Sequence, residues 1–220
     1  MFPISDVIPS RTRPIVTISL IVLSTAAYLY QLSLGATDLQ RLVFAHGVIP
    51  ASFGLADVVT SLFLHADILH IGANMVFLWI FGDNVEDRLG HLGYLAFYLG
   101  CGTVAALAQT VANPHSFLPM IGASGAIAGV MGAYFLLYPR SRILTVVFLV
   151  IFVDVIEIPA VFLLGVWFLL QIGHGALSSG APGGGIAFWA HAGGFVAGAL
   201  VGLVLRARGR ADTQYWDRKT

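Results

Sequence analysis

Charge is what this sequence has least of. Asp, Glu, Lys and Arg make up 10% of its 220 residues, against about 25% in a soluble domain, so it cannot build an ordinary water-facing surface. Eleven basic residues balance eleven acidic ones, leaving no positive excess with which to hold nucleic acid. The single cysteine, Cys101, excludes an internal disulfide and a zinc ribbon; it reads as a small apolar residue in a buried helix. No His-Glu-x-x-His run occurs, which removes the zinc-metalloprotease helix. No internal repeat of the transporter kind is visible, and neither metal nor cofactor is expected.

What remains is apolar. Hydrophobic residues are 58% of the chain and mean hydropathy is +0.87, which predicts an all-α polytopic membrane protein folded as one compact bundle of six transmembrane helices. A span needs about 20 apolar residues. Runs of that length extend from Ile15 to Leu34, Ala66 to Val85, Leu92 to Val111, Met120 to Tyr138, Val155 to Gly175 and Ile186 to Leu205. The first is longer than the 7–15-residue core of a cleavable signal, so it is expected to remain as a span. The fifth is interrupted by Asp154, Glu157 and Pro159. Proline disfavours helix in the residue before it, so Ile143 to Asp154 is expected to be an interfacial connection, with the true span starting near Pro159.

Six spans return both termini to one side. Arg11, Arg13, Arg88, Arg140, Arg142, Arg206, Arg208, Arg210, Arg218 and Lys219 then share that side, and only Arg41 faces the other. Basic residues accumulate in the cytoplasm. Both termini are therefore expected there, with residues 1–14 a cytoplasmic segment, 15–205 the membrane domain and 206–220 a basic tail. The expected location is the cell (inner) membrane, and the lipid bilayer is the first partner.

Spans two, four and six run from outside to inside, and His70, Ser124 and His191 each fall four or five residues past the expected start. At 1.5 Å rise per residue that is roughly 6–8 Å below the outer end. Polar groups are costly in hydrocarbon, and an ionisable one is a functional-site hypothesis by default. Gly194, Gly198 and Gly202 on span six repeat every four residues, and span four carries Gly122, Gly125, Ala126, Gly129, Gly132 and Ala133. Small residues so spaced let helices approach closely in lipid. Ser124 alone reads as a packing serine in that ridge; beside an equally deep histidine on the facing helix it reads as a nucleophile with its base. His70 and Asn74 share one face of span two. They serve either as donors to an oxyanion or as an interhelical polar contact. The acids Asp83, Glu86 and Asp87 lie roughly 18–25 Å along the helix from His70, too far to orient an imidazole. Asp67 lies near the right depth but is expected to be exposed, so a Ser-His dyad is expected. Glu86 reads as a structural acceptor, and His46, His115 and His174 as histidines of loops or span boundaries.

These residues, in this order, strongly resemble the rhomboid family of intramembrane serine proteases. The resemblance rests on Thr60-Ser61-Leu62-Phe63-Leu64-His65, His70-Ile71-Gly72-Ala73-Asn74, Gly82-Asp83-Asn84-Val85-Glu86, Gly122-Ala123-Ser124-Gly125 and Ala190-His191-Ala192-Gly193-Gly194 with Gly198. It implies Ser124 as nucleophile, His191 as general base, and an oxyanion hole from the Ser124 backbone amide, His70 and Asn74. It also implies that His65 helps shape the site, and that the substrates are transmembrane segments of other proteins, cut near the outer face. Two positions depart from the family pattern. Ala56-Asp57 stands where a Trp-Arg pair is common, and Ala128 where an aromatic ring often packs on the catalytic histidine. A catalytically silent relative that binds membrane helices is the alternative reading.

Overall fold

The computed structural model describes residues 2–149, 152–178 and 187–210. It is a helical membrane bundle. Six helices have the lengths or apolar character of spans: α1 (Ile15–Leu32), α4 (Ile68–Leu89), α5 (His91–Ala112), α6 (Ser124–Leu137), α7 (Ala160–Ser178) and α8 (Phe188–Leu205). Two short helices, α2 (Ala36–His46) and α3 (Leu55–Ser61), fill the connection between α1 and α4. A short irregular helical turn, Arg206–Arg210, follows α8. Of the expected basic tail, residues 211–220 lie outside the described residues, as do Ile186 and the chain around it.

The bundle is organised about α6. Its residues from Gly125 to Tyr134 are all buried, as expected of a helix apolar on every side. The α6–α8 contact uses the two small-residue ridges. A methyl carbon added at Gly198 would lie 1.8 Å from the carbonyl oxygen of Gly129, and one at Gly194 would lie 2.0 Å from that of Gly125. In the other direction, one at Gly132 would lie 2.0 Å from the Phe195 oxygen. Backbone touches backbone along the whole seam. Between α4 and α5 the chain reverses through Gly90 alone, at φ +70, a conformation glycine adopts without steric cost.

One end of the bundle carries structure that hydropathy did not foretell. Residues 143–149 and 152–154, from the stretch expected to be an interfacial connection, lie in a β-hairpin, β2 (Arg142–Leu149) with β3 (Phe152–Pro159). Its register runs from Arg142 opposite Pro159 to Leu149 opposite Phe152. The fifth span begins at Ala160, next to Pro159, where it was expected to start. The run is rich in Val, Ile, Thr and Phe, which suit a pleated surface, and Pro159 ends the ladder where α7 starts. The N-terminal segment adds a third strand, β1 (Phe2–Asp6), antiparallel to β2, with a register shift between Pro3 and Ser5.

Glu86 ties α1 to this end. Its carboxylate accepts from the backbone amides of Val16 (2.9 Å) and Thr17 (2.8 Å) and from the Thr17 hydroxyl (2.8 Å). It thereby caps the amides that a helix N terminus leaves open. His91 Nδ1 lies 2.6 Å away on the same carboxylate. Asp87 accepts from the Arg11 and Thr12 amides and the Thr12 hydroxyl, and Asp83 from Ser10. The acids in the last turns of α4 are thus occupied in holding the N-terminal segment.

Candidate active site

At the opposite end, α6 starts low. It has 14 residues, about 21 Å of helix against a hydrocarbon core of about 30 Å. Its C terminus is held at the hairpin end, where the Tyr138 hydroxyl donates to the Asn84 carbonyl and accepts from Arg88 Nε at 2.8 Å. The missing length is therefore at the end away from the hairpin. Residues 120–123, expected to be helical, descend instead as irregular chain, and Ser124 opens the helix rather than lying one turn inside it. The cause is Gly122, at φ +120, where a right-handed helix cannot continue. Ser124 thus gains a helix N terminus, with backbone amides free of intrahelical bonds and a partial positive charge.

His191 lies in the first turn of α8 and His70 in the first turn of α4. Ser124 Oγ lies 2.7 Å from His191 Nε2, within hydrogen-bond distance, a contact the α6–α8 glycine seam makes possible. His191 is 9% exposed. The start of α8 is held by Gln109 of α5, whose side-chain oxygen accepts from the Ala190 amide at 3.3 Å.

His70 and Asn74 converge on the Gly122 backbone. A Cβ at Gly122 would lie 2.7 Å from His70 Nε2 and 3.8 Å from Asn74 Nδ2, so only glycine fits there. The Ala66 amide donates to His70 Nδ1 at 3.4 Å, which leaves the ring proton on Nε2, the nitrogen facing Gly122. Asn74 is 5% exposed, and its Nδ2 has no hydrogen-bond partner among the described residues. Asp67 accepts from the His70 amide at 2.8 Å as the cap of α4, which occupies it away from His191.

The loop before α4 is locked. Gln31 of α1 grips the His65 backbone at both ends, its Nε2 donating to the carbonyl and its Oε1 accepting from the amide, each at 3.0 Å. The His65 ring meets that of His70 edge-on at 5.1 Å between centroids. Burial, reinforced by His70, pushes the His65 pKa down to about 4, so this ring stays neutral near pH 7. Where Ala56-Asp57 stands in place of Trp-Arg, the connection between α1 and α4 is held by other means. Val48 and Met120 exchange two backbone bonds (3.0 and 2.8 Å), the Thr60 hydroxyl donates to the His46 carbonyl at 2.8 Å, and the Gly122 amide donates to the Ser61 carbonyl at 2.9 Å.

Two contributors on α7 did not stand out in the sequence. Trp167 of α7 lies 5.8 Å from the His191 ring, so an aromatic neighbour is present although Ala128 supplies none. One turn further along α7, Gln171 Oε1 lies 2.8 Å from His191 Nδ1. The available signal was a lone amide in an otherwise apolar span, one turn after a tryptophan. Gln31 and Gln109 were missed for the same reason.

Comparison with known proteins agrees with this architecture. A family model for the rhomboid domain matches residues 52–208. The chain is 30% identical over 151 residues to "Rhomboid protein 1, mitochondrial" of Saccharomyces cerevisiae, covering 66% of this chain and 40% of that protein. It is 34% identical over 106 residues to the bovine "Presenilin-associated rhomboid-like protein, mitochondrial", covering 47% of this chain and 28% of the relative. It is 38% identical over 76 residues to "Rhomboid protease GluP" of Bacillus subtilis, covering 34% of this chain and 14% of that protein. The chain thus matches well under half the length of each.

Proposed function

The chain belongs to the rhomboid family, and from that premise we propose that it is an intramembrane serine endopeptidase working through a Ser124–His191 dyad. The observation that carries the proposal is the 2.7 Å contact between Ser124 Oγ and His191 Nε2 inside a membrane bundle. A serine hydroxyl becomes a useful nucleophile when a neighbouring base takes its proton.

Attack by Ser124 Oγ on a substrate carbonyl carbon passes the hydroxyl proton to His191 Nε2 and places negative charge on the carbonyl oxygen. The Ser124 amide, His70 Nε2–H and Asn74 Nδ2–H receive that charge; fixed donors aimed at a developing oxyanion are a large catalytic term. The imidazolium then protonates the leaving amine, and water, with His191 again as base, releases the acyl chain. Water for the second step enters from the end where irregular chain precedes Ser124, since non-helical backbone at such depth is tolerated where it is buried in protein or faces water. The substrates are transmembrane segments of other proteins, preferred where weak helix formers near their outer end expose carbonyls. The excess of basic residues on one side supports a reading in which both termini face the cytoplasm, in a cell (inner) membrane.

The test is incubation of the purified protein with single-span substrates and with a fluorophosphonate probe. Wild type is expected to cleave and to label at Ser124. Ser124→Ala and His191→Ala are each expected to abolish cleavage, with the double variant no worse, because members of one catalytic unit are not additive. Turnover by Ser124→Ala ends the serine-protease reading. A folded wild type that binds membrane helices yet takes up no probe favours a silent helix binder.

A further inference from the structure

We propose that Gln171 on α7 is the third member of this site: a positioning residue that fixes the tautomer and plane of His191, in the place where soluble serine hydrolases use a carboxylate. The inference rests on the dyad reading above and adds a helix to it.

The imidazole has two nitrogens, and the chemistry needs Nε2 free of its proton to accept from Ser124. That requires the neutral ring to carry its proton on Nδ1, which in soluble triads a buried acid secures. Among the described residues no carboxylate bonds His191. The acids of α4 hold α1 and the N-terminal segment at the other end of the bundle, and Asp67 caps α4. What faces Nδ1 is the Gln171 side-chain oxygen at 2.8 Å. An amide oxygen only accepts, so it selects the Nδ1–H tautomer. The His191 side chain is then held at both nitrogens, by Gln171 and by Ser124.

The packing of α7 makes the acceptor firm. Trp167, one turn before Gln171, lies on the same face and covers the imidazole at 5.8 Å. Phe168 stacks on Phe195 of α8 at 4.5 Å, and Trp167 reaches that ring too, at 6.1 Å. The aromatic contacts therefore fix the rotation of α7 about its axis, and with it the direction of Gln171. A neutral amide differs from a carboxylate in one testable way: it orients the ring without adding a negative charge to stabilise the imidazolium.

The experiment pairs nitrogen-15 NMR of histidine-labelled protein with probe labelling and cleavage measured across pH. In wild type at pH 8, His191 is expected to show the Nδ1–H tautomer. Gln171→Met, which keeps the length but not the acceptor, is expected to give a tautomer mixture. It should lower kcat and the rate of fluorophosphonate labelling by about 10–100-fold, the range found when a metal-bound histidine loses its orienting partner, with KM little changed. Gln171→Glu is expected to restore the Nδ1–H tautomer and activity at pH 8. It should also move the acid limb of the pH–rate profile upward by a unit or more, since a carboxylate favours the charged ring. A purely steric role moves neither the tautomer nor that limb.

Wild-type His191 in the Nε2–H form overturns the proposal, as does a folded Gln171→Met with wild-type rates and tautomer. If Gln171→Met does not fold, the wild-type tautomer and the Gln171→Glu profile still decide. Failure of the protease reading looks different: the tautomer holds while wild-type Ser124 takes up no probe.

Discussion

Asn74 is a buried amide with its donor unspent. Leaving such a group without a partner costs about 1–3 kcal/mol, and the cost is recovered if the donor binds charge during the reaction. Asn74→Ala and His70→Ala are each expected to lower kcat by about 10²–10³ while leaving the thermal midpoint of unfolding unchanged or raised for Asn74→Ala. Unaltered rates in both, measured on a single-span substrate, would make their shared face a packing surface. Ser124, His191, His70 and Asn74 stood out in the sequence because polar groups at matched depth in apolar runs are rare. Gln171 did not stand out. An isolated glutamine carries no periodic signal, and its meaning depends on how far α7 is rotated against α8.

Helices α6 and α8 depend on each other through glycine. The Gly198 position leaves no room for a methyl group, since the obstacle is the Gly129 backbone rather than a movable side chain. Gly198→Ala is expected to destabilise the bundle by about 1–3 kcal/mol, the usual cost of overpacking. It should also reduce cleavage by moving His191 away from Ser124. Gly100→Ala is the control: nothing lies within 4 Å of that position in α5, and alanine there should be neutral or slightly stabilising, because it is the better helix former. Thermal unfolding in detergent separates the two. The ridge pairing was legible because a four-residue repeat of small residues has one main use in lipid. The β2–β3 hairpin was not, because a continuous apolar run fits a span and a buried strand equally well until its partner strand is known.

The molecule as a whole is closed at the hairpin end by its own N terminus. Asp6 accepts from the Tyr134 hydroxyl at 2.6 Å and from Asn84 Nδ2 at 3.0 Å. Burial, with Asp83 adding to it against the Tyr134 bond, raises its pKa from 3.8 to about 7. A docked carboxyl with a raised pKa binds a proton that the undocked one has released. Docking is therefore strongest below about pH 4, weakens as pH rises towards 7, and is level above that. Hydrogen exchange of the β1 amides, corrected for intrinsic rate, should show protection falling over that window. Asp6→Asn should hold protection constant with pH and, at pH 8, above that of wild type. An identical slope in wild type and variant would assign the dependence to another group.

The helical membrane class and the matched depth of Ser124 and His191 in their apolar runs were set by the sequence itself. Apolar length, basic-residue placement and depth along a helix are one-dimensional quantities, readable without knowing what touches what. The tertiary structure alone decided where α6 begins, which acceptor faces His191 Nδ1, and that the N terminus completes a sheet. Each of these depends on groups brought together from distant parts of the chain, by helix rotation or by strand register. A polar side chain in a bundle takes its role from the partner it meets, and that partner is chosen by packing.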